Sequence, residues 1–205
     1  MKKHLIALLM LCLTSSLALA ISPADQLNQM LSHFTSLQAR FSQLVRASDG
    51  APMQESKGDL NILRPGKFYW KQTSPMVQVI VTNGKKLWIY EPDLKQVTER
   101  TVVKMTEQTP LLLLTQKNVL LQNQFTVKRL TTKRKGEWFQ LTPKKTEAFK
   151  TIELGFVNKQ IKTLMFENAL DNQTVIQLKH VKVNQPVNAS QFNFQVPAGV
   201  DVVHE

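Results

Sequence analysis

Cysteine is almost missing from this chain: the single one, Cys12, lies in the first twenty residues. With no cysteine after that point, disulfides and thiol nucleophiles are excluded, and stability has to come from an apolar core. Histidine is equally sparse. His4 and His204 sit near the two ends, while His33 and His180 fall in different elements with no second ligand at metal spacing. A metal site is therefore not expected. No Gly-x-Ser-x-Gly occurs, and Asn83-Gly84-Lys85-Lys86 lacks the spacing of a phosphate-cradling loop. Carboxylates are scattered and mostly flank turns. Apolar runs of about eighteen residues, the length needed to span a bilayer as a helix, are also absent. These gaps argue against an enzyme and against a cofactor, although a triad assembled in space leaves no linear motif.

Residues 1–20 have the pattern of a secretory signal peptide. Lys2 and Lys3 form a positive start, Leu5 to Leu13 an apolar stretch, and Ala18-Leu19-Ala20 offers small residues for cleavage. Leu9-Met10-Leu11 precedes Cys12 with no small residue, so Cys12 reads as apolar filler and not as a lipidation site. Residues 21–205 then make one domain-sized unit. Without Lys2 and Lys3 the net charge is still +9. In a secreted chain that excess points to anionic headgroups or acidic protein surfaces before nucleic acid, or simply keeps the protein soluble.

After the signal the pattern begins with a helix. Ser22 fits an N-cap, Pro23 the first helical position, and Asp25 completes a capping pair. Leu27, Met30, Leu31 and Phe34 recur at i, i+3, i+4 and i+7, giving one apolar stripe. From about residue 37 the period becomes two, and strand follows strand to about residue 184. Asp49-Gly50, Asn83-Gly84, Glu91-Pro92-Asp93, Lys133 to Gly136, Asn158-Lys159 and Asp171-Asn172 mark the turns. Eleven strands are predicted. One stretch interrupts them: Thr109 and Pro110 open a short helix whose Leu111 to Leu114 are apolar on every side. Such a helix is either part of the core or a lid over something apolar. A long antiparallel meander of this kind curls into a barrel or half-barrel, with the helices available to plug or cover it. The aromatics Phe68 and Trp70 share one strand face, and Trp88 and Tyr90 share another.

Several blocks of residues, in order, carry a family resemblance. Phe41-Ser42-Gln43 comes first, then Gly58 through Leu63 with Arg64-Pro65-Gly66-Lys67-Phe68-Tyr69-Trp70. Asn83 to Pro92 with Gln96-Val97-Thr98 follows. Thr109-Pro110 before the leucine run, and Phe192-Asn193-Phe194 with Pro197-Ala198-Gly199-Val200, complete the set. Together they resemble the outer-membrane lipoprotein carrier family LolA over nearly the whole length after residue 20. Gly66 and the basic turn Lys133-Arg134-Lys135 are the main departures, and the C-terminal tail is short.

The resemblance implies a mainly β (α+β) fold: an unclosed, strongly curved antiparallel barrel of about eleven strands with a short helical lid. It implies a periplasmic monomer whose hydrophobic cavity takes lipoprotein acyl chains. Cargo would come from an inner-membrane ABC transporter and go to an outer-membrane receptor. By motif, Arg64 would be the residue that bonds to the lid and holds the empty form shut, with Phe68 near the mouth. Leu27, Met30, Leu31, Phe34, Phe41, Trp70, Leu111, Leu112 and Leu113 are the remaining expected cavity residues. Two other uses stay open from the residues alone: a sensor with the same half-barrel that binds a lipoprotein or glycolipid without moving it, and an enzyme with a dispersed site.

Overall fold

The computed structural model describes residues 21–102, 110–116, 120–145 and 148–204. The expected signal peptide with Cys12, and the Thr109 cap, lie outside those residues. The first element is the helix α1, Pro23–Ser32. Its start is built as the sequence suggests: Asp25 N donates to Ser22 Oγ at 3.1 Å, and Ser22 Oγ donates to Asp25 Oδ2 at 2.7 Å. This occupies one orphan donor of the first turn and places a carboxylate at the positive end of the helix.

Twelve strands form one sheet. In chain order they are β1 Ser36–Arg46, β2 Pro52–Leu63, β3 Lys67–Ser74, β4 Gln78–Asn83, β5 Lys86–Glu91, β6 Gln96–Thr101, β7 Phe125–Leu130, β8 Glu137–Pro143, β9 Phe149–Val157, β10 Gln160–Asn168, β11 Gln173–Val183 and β12 Asp201–His204. The spatial order is β12-β6-β5-β4-β3-β2-β1-β11-β10-β9-β8-β7. Two antiparallel meanders, β1 to β6 and β7 to β11, are thus joined along β1 and β11. The outermost strands β12 and β7 do not pair with each other, so the curled sheet stays open. Eleven of the strands coincide with the predicted ones. The twelfth, β12, adds to β6 in parallel. It is four residues long and follows an extended tail, so it carries none of the alternation or hairpin chemistry that reveals the others.

Alternation sorts the residues into two layers. On one face, Leu37, Ala39 and Phe41 of β1, Leu60 and Ile62 of β2, and Phe68 and Trp70 of β3 are buried with their counterparts on β8 to β11 in one large cluster. α1, the short helix α2 (Leu121–Gln124) and the 3₁₀ segment Pro110–Thr115 fill the hollow of the sheet on that side. Gly58 has a specific place there. It lies opposite Phe41, and a Cβ at this position would meet Lys71 O at 1.9 Å and Phe41 Cε1 at 2.8 Å. Only glycine lets the Phe41 ring lie flat against β2, where it stacks on Trp70 with centroids 3.4 Å apart.

The other face has a smaller cluster of Val81, Trp88 and Val97, joined by Tyr69, Tyr90, Phe194 and Val200. Here the C-terminal tail folds back over β3 to β6. The Phe194 ring lies 6.0 Å from Trp88 and 5.7 Å from Tyr90. The separate face foreseen for Trp88 and Tyr90 is thus the outer one, and their partner is the chain's own tail.

Candidate functional site

The centre of the site is the turn between β2 and β3. Arg64 reaches from it across the hollow and bonds to both lid elements. Its Nε donates to Leu114 O at 2.8 Å. One terminal nitrogen donates to Leu31 O at 2.6 Å and to Phe34 O at 3.3 Å. The guanidinium also lies 3.9 Å from the centroid of the Phe34 ring. Leu31 closes the last turn of α1, and Leu114 is near the end of the 3₁₀ segment. Both carbonyls are helix-end acceptors with no partner inside their own element. One cation therefore satisfies the negative ends of two short helices at once. Burial pulls the Arg64 guanidinium down from its ordinary value to about 10, so it stays charged at any physiological pH.

The backbone of the same turn adds to the hold. Arg64 N donates to Thr35 O at 2.8 Å, and Gly66 N donates to Thr115 O at 2.9 Å. Gly66 is at φ 72°, a conformation that suits glycine, and its Cα side faces Gly84 so closely that a Cβ would come within 3.1 Å of it. The departure at Gly66 thus has a structural use: it lets two hairpin turns meet and presents a donor to the lid.

The expected cavity residues come together. Leu27, Leu31, Phe34, Phe41, Phe68, Trp70, Leu111, Leu112 and Leu113 are all buried in the large cluster, and Met30 is partly buried against it. The short helix expected over the leucine run winds as a 3₁₀ segment, and every residue from Pro110 to Thr115 is buried. In this closed arrangement the hollow is occupied by the molecule's own leucines. A recess of about 460 Å³ remains between α1 and the lid, bordered by Asn28, Leu31, Arg64, Leu113 and Leu121 among others.

Sequence reasoning passed over two contributors. Leu121 is fully buried in the same layer as Leu114, the end of the leucine run, but has no periodic company. Asn184, just past β11, clasps the linker from α1 to β1. Its Oδ1 accepts from Thr35 N at 2.8 Å and from Thr35 Oγ1 at 3.2 Å, and its Nδ2 donates to His33 O at 2.9 Å. It sits at φ 57°, which asparagine tolerates better than most residues. Its partners are about 150 positions earlier in the chain, so no local signal could have revealed the pairing.

Among the described residues no group of histidines and carboxylates is placed to hold a metal ion. The arrangement is an apolar sheet face covered by short helical elements, which are held to it by their buried leucines and by the Arg64 hydrogen bonds.

Comparison with known proteins agrees with this geometry. A family model described as the outer membrane lipoprotein carrier protein LolA matches residues 32–195. The chain is 37% identical over 183 residues to an outer-membrane lipoprotein carrier protein of Hahella chejuensis, covering 88% of each chain. It is 36% identical over 208 residues to one of Coxiella burnetii, covering 99% of this chain and 98% of that one. In fold it is similar to the crystal structure of a LolA superfamily protein from Nitrosomonas europaea, with TM-score 0.51 and 12% identity, covering 83% of this chain and 95% of that one.

Proposed function

The chain belongs to the LolA family of outer membrane lipoprotein carrier proteins, a carrier and not an enzyme, and from that premise we infer how its parts are used. The concave apolar face, from Phe41 and Trp70 to Leu154 and Leu178, takes the acyl chains of the cargo once the lid swings away. Leu27, Met30, Leu31, Phe34, Phe68, Leu111, Leu112 and Leu113 line that space. Arg64 is the latch of the empty form. The observation that carries this reading is the triple anchoring of Arg64 to carbonyls of both lid elements above the large buried apolar cluster.

The energetics suit a carrier. Each buried methylene contributes about 0.8 kcal/mol, so a long acyl chain brings on the order of 10 kcal/mol to any site that hides it from water. A site that bound this without competition would never let go. Here the empty protein buries its own leucines on the same face, and cargo must displace them. The net affinity is the difference between two burials of similar size, which keeps hand-over feasible without ATP on the carrier.

Working in the periplasm after loss of residues 1–20, and acting as one domain and a monomer, the protein would receive lipoproteins from an inner-membrane ABC transporter. It would deliver them to an outer-membrane receptor. Purified protein added to spheroplasts tests this. A soluble complex of carrier and lipoprotein in the supernatant is expected, and retention of all lipoprotein in the spheroplast membrane would overturn the reading.

A further inference from the structure

The outer face of β11, β1, β2 and β3 is charged in a way the fold itself does not need. In register across the sheet, Lys179 of β11 lies opposite Arg40 of β1, Arg40 lies opposite Asp59 of β2, and Asp59 lies opposite Lys71 of β3. Two cations directly opposite each other destabilise a sheet. Lys182 and Lys57 stand on the same face, one β11 and the other β2 neighbours of this row. Among the described residues none of these five cations is in an ion pair, and Asp59 is the lone carboxylate bordering the two adjoining grooves they line.

The surface is hollowed, not flat. One groove, of about 670 Å³, has Gln38, Asn61 and Tyr69 on its floor and walls between Lys182 and Lys71. A second, of about 410 Å³, continues it past Lys57 and Lys179. At its upper end the protein's own tail forms the border: Gln38 Nε2 donates to Pro186 O at 2.9 Å, and Asn61 Nδ2 donates to Gln191 Oε1 at 2.9 Å. The same tail then covers the neighbouring part of this face, where the sheet offers Trp88 and Tyr90. So one half of the outer face holds an extended polypeptide through apolar contacts. The other half, left uncovered, offers cations and amide side chains.

We propose that this uncovered basic trough is a docking surface for an acidic, extended peptide segment of a partner protein. Amide and hydroxyl side chains on the floor suit a peptide backbone, and the flanking lysines and Arg40 suit its carboxylates. A bilayer surface fits less well, since flat headgroup planes meet protruding cations, not the floor of a groove. Large exposed apolar residues are missing from the trough, so the docking is salt-sensitive and short-lived, relying on charge for encounter and orientation. This surface lies across the sheet from the lid and works independently of the acyl site.

The test uses the full chain, a fluorescent oligoglutamate peptide, and vesicles of phosphatidylglycerol and phosphatidylethanolamine. The triple variant Arg40→Gln, Lys71→Gln, Lys179→Gln removes the row, and a second triple variant, Lys128→Gln, Lys133→Gln, Lys135→Gln, far along the sheet, serves as the charge control. The peptide is expected to bind the natural protein in low salt. Affinity should fall roughly tenfold in the triple variant and little in the control. Binding of an acyl probe should be unchanged in both, and the melting temperature should fall in neither. Equal loss in both variants would reduce the effect to overall charge and overturn the proposal. Variant-sensitive binding to vesicles without peptide binding would assign the trough to membranes and overturn it too, as would binding to neither.

Discussion

Replacing Arg64 with leucine removes three donors and a cation from the junction of α1, the lid and the β2–β3 turn. The carbonyls of Leu31, Phe34 and Leu114 lose partners at 2.6, 3.3 and 2.8 Å. A hydrogen bond to a charged group contributes roughly 1.5–3 kcal/mol net. The three do not add, because a single guanidinium bears the cost of burial that already draws it down to about 10. The Gly66 to Thr115 and Arg64 to Thr35 backbone bonds also survive the substitution. About 2 kcal/mol is then lost from the closed state, roughly a thirtyfold shift toward the open one. Once open, the apolar face no longer has to be cleared before cargo binds. A pyrene-labelled acyl chain should therefore bind Arg64→Leu more tightly by about that factor, while transfer to an acceptor slows. Since burial lowers the guanidinium only to about 10, it keeps its charge from neutral pH to mild alkali, and closure in the natural protein should be flat over that range. Unchanged probe affinity together with unchanged transfer would refute the latch.

The competition between self-burial and cargo makes a second, less intuitive expectation. Leu112→Ala should lower the stability of the empty protein by about 2–4 kcal/mol in urea unfolding, since Leu112 is 1% exposed, yet tighten acyl-probe binding. Asn184→Ala should cost about 1–3 kcal/mol and speed hydrogen exchange at the Thr35 amide, while probe affinity changes less than in Arg64→Leu. Lys86 first, then the Trp88 indole, hold the Glu99 carboxyl below its usual range. A lowered carboxyl pKa stabilises the fold above the ordinary carboxylate range, and the contribution is lost as pH falls through the shifted value. The indole N–H signal of Trp88 should accordingly move in acid, and Glu99→Gln should remove that acid step.

Much of this was legible from local chemistry. The capping pair Ser22 and Asp25 announced α1 because a cap is a contact between near neighbours. Asn83-Gly84 and Asn158-Lys159 announced hairpins because left-handed backbone selects its residues, and both Asn158 and Lys159 do take positive φ. Phe68 and Trp70 read as sharing one face because a strand alternates, and that face is the buried one. The motif around Arg64 identified the residue, but not its acceptors: main-chain carbonyls have no sequence signature, and Leu31 and Leu114 differ from their neighbours only in ending a helical turn. β12 escaped for a related reason, since a short parallel strand gains its stability from β6 and not from its own pattern. The 3₁₀ winding of Pro110 to Thr115 was likewise hidden, as four consecutive leucines are equally at home in either helix.

Where the acyl chain lies decides the account. The protein loaded with a lipopeptide that carries a photoreactive group at the end of one acyl chain, then irradiated and mapped by mass spectrometry, gives that answer directly. Adducts are predicted on the concave layer and the lid, at residues such as Phe41, Trp70, Leu31 and Leu112, and they should be displaced by unlabelled lipopeptide. Adducts confined to the outer face around Trp88, Tyr90 and Phe194, or none that competition removes, would contradict it.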